Sequence, residues 1–248
     1  MSLVDCFALH KYEIISIVGS GGKTTLLNYL AQCFRTERVL MTTTTKIFLP
    51  ERSIYDQCIS PLEPCVSLQT GITLLGRPVT GQPKLASPSP LTLRSALLHC
   101  DKAFIEADGA KRRPLKGWNR TEPVIVSETT MTIGVVPVNI CGYPMDTAYI
   151  HRLSKFLALG DFCEQQIITP AILAQVISHP QGLFRLSRGR KILFLNQVET
   201  ATTVEQVKKV IAALPQPFLN QIAYIVSGSA RQQQGMIVWQ NKQLQKQS

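Results

Sequence analysis

Between an apolar stretch at 13–18 and an amphipathic one at 26–34 stands Val18-Gly19-Ser20-Gly21-Gly22-Lys23-Thr24-Thr25, and few folds accommodate it. A glycine-rich turn feeding a helix lets backbone N–H groups close around an anion, and the helix dipole favours negative charge there. In such loops a lysine reaches the β- and γ-phosphates of a nucleotide, and the following hydroxyl ligates Mg²⁺. That assigns phosphate cradling to Gly19, Ser20, Gly21, Gly22, Lys23, Thr24 and Thr25, with Thr24 on the metal. The common eight-residue pattern would need a glycine where Ile17 stands, so the form here is the shorter G-x-x-G-K-T-T. The competing reading is a tight strand-to-helix turn carrying a surface lysine, but the strand–turn–helix context and the paired threonines favour phosphate.

This shorter loop resembles the phosphate loop of Mur-type ligases and, more loosely, the loops of the MinD-like ATPases. The rest of the chain fits an α/β fold of that kind. With 248 residues and 45% hydrophobic content it can fill one large domain, and 17% charged residues argue against extended disorder. Neither a basic-then-apolar leader nor an apolar run near the roughly 20 residues needed to span a bilayer is visible, so no membrane and a cytoplasmic location are expected. The seven cysteines contain no C-x-x-C pair and the four histidines stand apart, a pattern of reduced thiols without a zinc site. A net charge of +10 suits nucleic acid or an acidic small molecule or protein. The basic residues form no long tract with interleaved aromatics, which argues against nucleic acid.

Strands and helices alternate. Strands are expected at 13–18, 38–43, 103–105, 130–137, 192–195 and 222–226, with an edge strand at 236–239 and a fraying tail. Helices are expected at 24–34, at 91–98 after Ser89, at 151–159, at 170–177 after Thr169, and at 204–214. The proline- and glycine-rich region 50–90, with β-like runs at 65–69 and 71–75, reads as an inserted hairpin and loops. The expected architecture is a three-layer α/β sandwich with a mainly parallel sheet, a single domain over 1–248 carrying a small β-rich insertion. Ligands in such folds bind at the carboxyl ends of the strands.

Further candidates fall at those ends. Thr42-Thr43-Thr44-Thr45-Lys46 follows the second strand, where Thr44 could ligate Mg²⁺ and Lys46 meet a phosphate. Glu106 and Asp108, two apart after an apolar strand, share one side of an extended chain. Asp108 is the expected metal-side acid and Glu106 a water-orienting base. Lys111 and Lys116, with Arg112 and Arg113 between them, could neutralise a second anion or the phosphates at transfer. Asn196-Gln197-Val198-Glu199 resembles the N-K-x-D base-reading motif of GTP-binding proteins, and Ser229-Ala230-Arg231 their S-A-K element. On that resemblance Asn196 holds the loop and Glu199 faces the base, with ATP and GTP both left open.

Taken together, the loop, the T-T-T-T-K run, Glu106-Ala107-Asp108-Gly109-Ala110-Lys111-Arg112-Arg113-Pro114-Leu115-Lys116, Glu122-Pro123-Val124-Ile125, His151-Arg152 and Leu195-Asn196-Gln197 resemble the YqeC family. Gly117-Trp118-Asn119 departs from the Ala/Pro-rich turn expected after Lys116. The resemblance implies a P-loop accessory protein for molybdenum hydroxylases that carry labile selenium, with the molybdenum cofactor or a client hydroxylase as partner. The expected activity is Mg²⁺-dependent binding and hydrolysis of ATP or GTP. The alternatives are a small-molecule kinase or Mur-like ligase, and a non-catalytic nucleotide-switched module. The 50–90 insertion is open to reading as a lid, a loop or a dimer contact, which leaves a homodimer among the expectations.

Overall fold

The computed structural model describes residues 1–60 and 67–242, so the beginning of the 65–69 run and the tail from 243 lie outside the described residues. In chain order the elements are β1 (Glu13–Gly19), α1 (Lys23–Cys33), β2 (Arg38–Thr43), β3 (Lys46–Phe48), β4 (Gln57–Ile59), β5 (Gly71–Leu75), β6 (Arg77–Pro78), β7 (Lys84–Ala86), α2 (Pro90–His99), β8 (Lys102–Glu106) and β9 (Leu115–Lys116). They continue as β10 (Met131–Pro137), β11 (Ile150–His151), α3 (Leu153–Leu157), α4 (Pro170–Ser178), β12 (Arg190–Asn196), α5 (Ala201–Ala213), α6 (Gln216–Leu219), β13 (Tyr224–Ser229) and β14 (Gln234–Gln240).

Nine strands form one sheet in the order β14-β13-β12-β10-β1-β8-β2-β5-β4, parallel throughout except for β14, which runs antiparallel to β13. The central strands are apolar on both faces, which is what a sheet covered on both sides requires. Ile15 and Ile17 of β1 pack with Leu26, Leu27 and Leu30 of α1. Val18 faces the other way, into the core shared with α4 and α5, and Leu40 and Ile105 meet α2 on that same side. Leu26 is fully buried, so truncation to Ala costs about 2–5 kcal/mol in lost transfer energy and cavity. The result is the three-layer α/β sandwich with a mainly parallel sheet.

The helix starts follow local chemistry. Ser89 and Thr169 each accept an N–H from the third helical residue ahead of Pro90 and Pro170, and Thr200 and Thr203 form a reciprocal capping box at α5. The start of α1 differs: its N-cap is Gly22, with no side chain to satisfy the first-turn N–H groups.

Two regions depart from expectation. The 71–75 run is not part of an inserted hairpin but pairs parallel with β2 inside the main sheet. Among the described residues of 50–90, β6 and β7 form a hairpin-like pair, and with β3 they make a separate three-stranded antiparallel sheet above the carboxyl end of β2. The helix expected at 151–159 shrinks to α3. Leu115 and Gly117 donate their N–H groups to the carbonyls of Tyr149 and His151, and Arg152 sits at a left-handed φ of 58°, so the helix starts only after the β9–β11 pair.

Candidate functional site

The carboxyl ends of β1, β2, β8 and β12 converge where the sheet changes direction, β1 lying between β8 and β10. The glycine loop leaves β1 with Gly19 at φ 94°, Gly21 at 71° and Gly22 at 127°, left-handed values that glycine adopts freely. A Cβ at Gly22 would also collide with the Asn196 side-chain amide. That amide holds the loop: Asn196 Nδ2 donates to the Gly21 carbonyl at 2.8 Å, while its Oδ1 accepts the Ala230 N–H at 2.9 Å. The segments at 196–199 and 229–231 are therefore joined through Asn196 to the glycine loop.

Lys23 is nearly buried and folds back to donate to the Gly19 carbonyl at 2.7 Å. Its ammonium lies 3.2 Å from Asp108 Oδ1, without hydrogen-bond geometry, and 3.8 Å from Glu106 Oε1. Burial pulls the Lys23 pKa down, but Asp108 and Glu106 outweigh it and hold the group above its ordinary value. Thr24 donates its hydroxyl to Glu106 Oε2 at 2.9 Å. Burial raises the Glu106 carboxyl above the ordinary carboxylate range despite the nearby Lys23.

Asp108 does something else. It is fully buried, and its Oδ2 accepts from the Gly19 N–H (3.1 Å), Trp118 Nε1 (2.9 Å) and Lys116 Nζ (3.1 Å). Burial opposes ionisation, but Lys23, Lys116 and these donors win and depress its pKa. The carboxylate expected on the metal thus clamps the start of the glycine loop from behind and does not line the cavity; Glu106 does. Lys116, expected to face a second anion, is also fully buried. It donates to Asp108 and to the Gly109 carbonyl (2.7 Å) and pairs with Glu122 at 3.1 Å, and Glu122 is clasped in turn by Arg152. Trp118, Glu122 and Arg152 are the parts that spacing alone did not assign. The Gly117-Trp118 departure has its reason here, since a Cβ at Gly117 would strike the α3 backbone and the indole N–H serves Asp108.

In front of the loop opens a cavity of about 1000 Å³. Gly21, Gly22, Lys23, Thr24 and Thr25 form its floor. Lys46, Lys111 and Gln197 also line it. Thr44 does not: its hydroxyl donates to the Val124 carbonyl at 2.6 Å, and Thr45 takes the lining position. Glu199 stands away from this wall, accepting the Ser229 hydroxyl at 2.7 Å. Gly19 and Ser20 bound the far side of the loop. Phe48 and Lys84, brought over the cavity by the β3–β7 pairing, carried no sequence signal.

No helix among the described residues is long and apolar enough to cross a membrane. The model of the YqeC protein family matches residues 15–154, the stretch that holds the loop, Glu106, Asp108, the basic turn and Arg152. A protein of Escherichia coli strain K12 described as the uncharacterized protein YqeC is 30% identical over 206 residues, covering 79% of this chain and 80% of the relative. On the family match and on this identity, the chain belongs to the YqeC family.

Proposed function

We propose that this chain is an Mg²⁺-dependent NTP-binding protein, an ATPase or GTPase, acting as an accessory factor in the maturation of selenium-dependent molybdenum hydroxylases. The last part rests only on the resemblance to the family. The nucleotide part is carried by one observation: Lys23 is held over the uncapped start of α1 by the Gly19 carbonyl, with the Thr24 hydroxyl on Glu106 beside it. Helix N–H groups without a cap, an ammonium beside them and a hydroxyl–carboxylate pair are the parts a triphosphate and its metal need.

Triphosphate oxygens take the α1 N–H groups, and Lys23 leaves the Gly19 carbonyl for the β- and γ-phosphates. Asp108 stays behind the loop as its clamp. Among the described residues no three His, Cys, Asp or Glu side chains form a metal cage. That suits Mg²⁺, which is bound by one or two protein groups together with phosphates and water. Thr24 would hold the ion directly and Glu106 would stand behind it, the metal supplying charge neutralisation on the phosphates. Glu106, which accepts the Thr24 hydroxyl and lines the cavity, is also placed to take a proton from an attacking water.

Calorimetry with ATP and GTP, with and without Mg²⁺, tests the reading on wild type and Lys23→Ala. The expected outcome is Mg²⁺-dependent binding of one nucleotide, weakened at least about a hundredfold (roughly 2.7 kcal/mol) in the variant. Binding and turnover equal to wild type in Lys23→Ala would overturn the assignment.

A further inference from the structure

Seven Lys or Arg and only two Glu side chains line the cavity. Lys23 and Arg152 have carboxylate partners. The other five, Lys46, Lys84, Lys111, Arg112 and Arg113, have none within 4.0 Å among the described residues. Lys111, Arg112 and Arg113 are exposed, but Arg112 and Lys84 meet at one ring. Arg112 lies 4.0 Å and Lys84 4.9 Å from the centre of the same Phe48 ring, although the two cations come from separate segments. The ring attracts each cation while the two cations repel one another, so an anion beside both would add to the attraction and offset the repulsion.

The backbone is bent to place them. Of the eight non-glycine residues at positive φ among the described residues, Lys111 (47°), Arg112 (62°), Arg152 (58°) and Gln197 (62°) all line this cavity. Left-handed backbone at non-glycine residues costs energy and collects at binding sites. Size points the same way, for about 1000 Å³ is at the top of the roughly 300–1,000 Å³ range of small-molecule sites.

We infer that the wall formed by Lys84, Phe48, Lys111, Arg112 and Arg113 is a second binding site, for a phosphate-bearing small molecule held facing the nucleotide's terminal phosphate. Arg112 and Lys84 supply the charges and Phe48 an apolar surface. The β3–β6–β7 sheet thereby becomes part of a ligand site. The inference rests on the nucleotide reading only for what stands opposite the wall.

Inorganic pyrophosphate is the probe, titrated calorimetrically into protein saturated with a non-hydrolysable Mg²⁺–nucleotide analogue. Wild type is expected to show one further site. In the Lys84→Ala/Arg112→Ala double variant, whose changes lie on the surface, that site weakens at least about tenfold while nucleotide affinity stays within about twofold. No second site in the loaded wild type, or an unchanged second site in the double variant, overturns the inference. If no nucleotide binds, pyrophosphate is titrated into free wild type, Lys23→Ala and the double variant. Binding that survives Lys23→Ala and fails in the double variant sustains the wall site while the nucleotide reading falls. Binding lost only in Lys23→Ala, or no binding at all, overturns the wall site.

Discussion

Two sets of charges come from one short piece of chain and are treated in opposite ways. Asp108, Lys116 and Glu122 are inside, paired with one another and with Lys23 and Arg152. Lys111, Arg112 and Arg113, between them in sequence, are outside and have no carboxylate partner among the described residues. The switch is made by the turn. The left-handed pair Lys111–Arg112 points the chain outward, and Pro114 and Leu115 bring it back so that Lys116 enters the core. Paired charges in the interior fix the shape of the phosphate loop, because Asp108 binds both its first N–H and its lysine. Unpaired charges on the wall are left for a ligand.

The sharpest way to break this contrast is Asp108→Ala. It takes one of two carboxylates from each of two buried ammonium groups, leaving Glu106 to Lys23 and Glu122 to Lys116, and frees the Gly19 and Trp118 N–H groups, so stability should fall by about 3–5 kcal/mol. Chemical denaturation measures this. A loss under about 1 kcal/mol with nucleotide binding abolished would make the carboxylate a ligand group instead of a clamp. Trp118→Phe keeps the ring and removes one donor to Asp108, for an expected loss of about 1–3 kcal/mol. On the other side of the contrast, Lys111→Ala should change stability by no more than about 0.5 kcal/mol. A Lys111→Ala loss as large as that of Trp118→Phe would show that the wall, too, is structural.

The parallel strands were legible because a sheet covered on both faces leaves continuous apolar runs, as at Ile14-Ile15-Ser16-Ile17-Val18 and Ile192-Leu193-Phe194-Leu195. The turn between β1 and α1 was legible because three glycines at positive φ separate an apolar strand from an amphipathic helix. The partition of charge was not. Lys116 and Lys111 read alike as basic residues near an acid, and only the left-handed turn decides which one is buried. Alternation along a strand says which side Asp108 and Glu106 face but not how deep each lies, and of the two it is Glu106 that lines the cavity. Phe48 and Lys84 were invisible, being 36 residues apart and joined only by antiparallel pairing. The 71–75 strand was mistaken for part of a hairpin because β-like residues among prolines and glycines signal strand but not its partner.

His151 gives the finest test, because it lies between the two sets. Its carbonyl is tied to the Gly117 N–H, and its side chain lines the cavity. Burial, then Arg152, Lys111 and Lys116, push its pKa from 6.5 down to about 4, with Glu122 alone acting the other way. Between those values the unfolded chain binds a proton that the folded protein refuses, so stability falls as pH drops from about 6.5 to 4. Asp108 and Glu122, whose pKa values are depressed, lose their contributions only at lower pH, below their ordinary 3.8 and 4.5. His151→Gln should therefore flatten the upper part of the acid limb and leave the lower part. An anion on the wall offsets the field of Lys111 and Arg152, so pyrophosphate should raise the His151 pKa, followed by NMR of the imidazole. An imidazole that titrates near 6.5 without ligand would mean that neither burial nor the neighbouring cations weigh on the ring, and a pKa unmoved by pyrophosphate would argue against an anion beside Lys111.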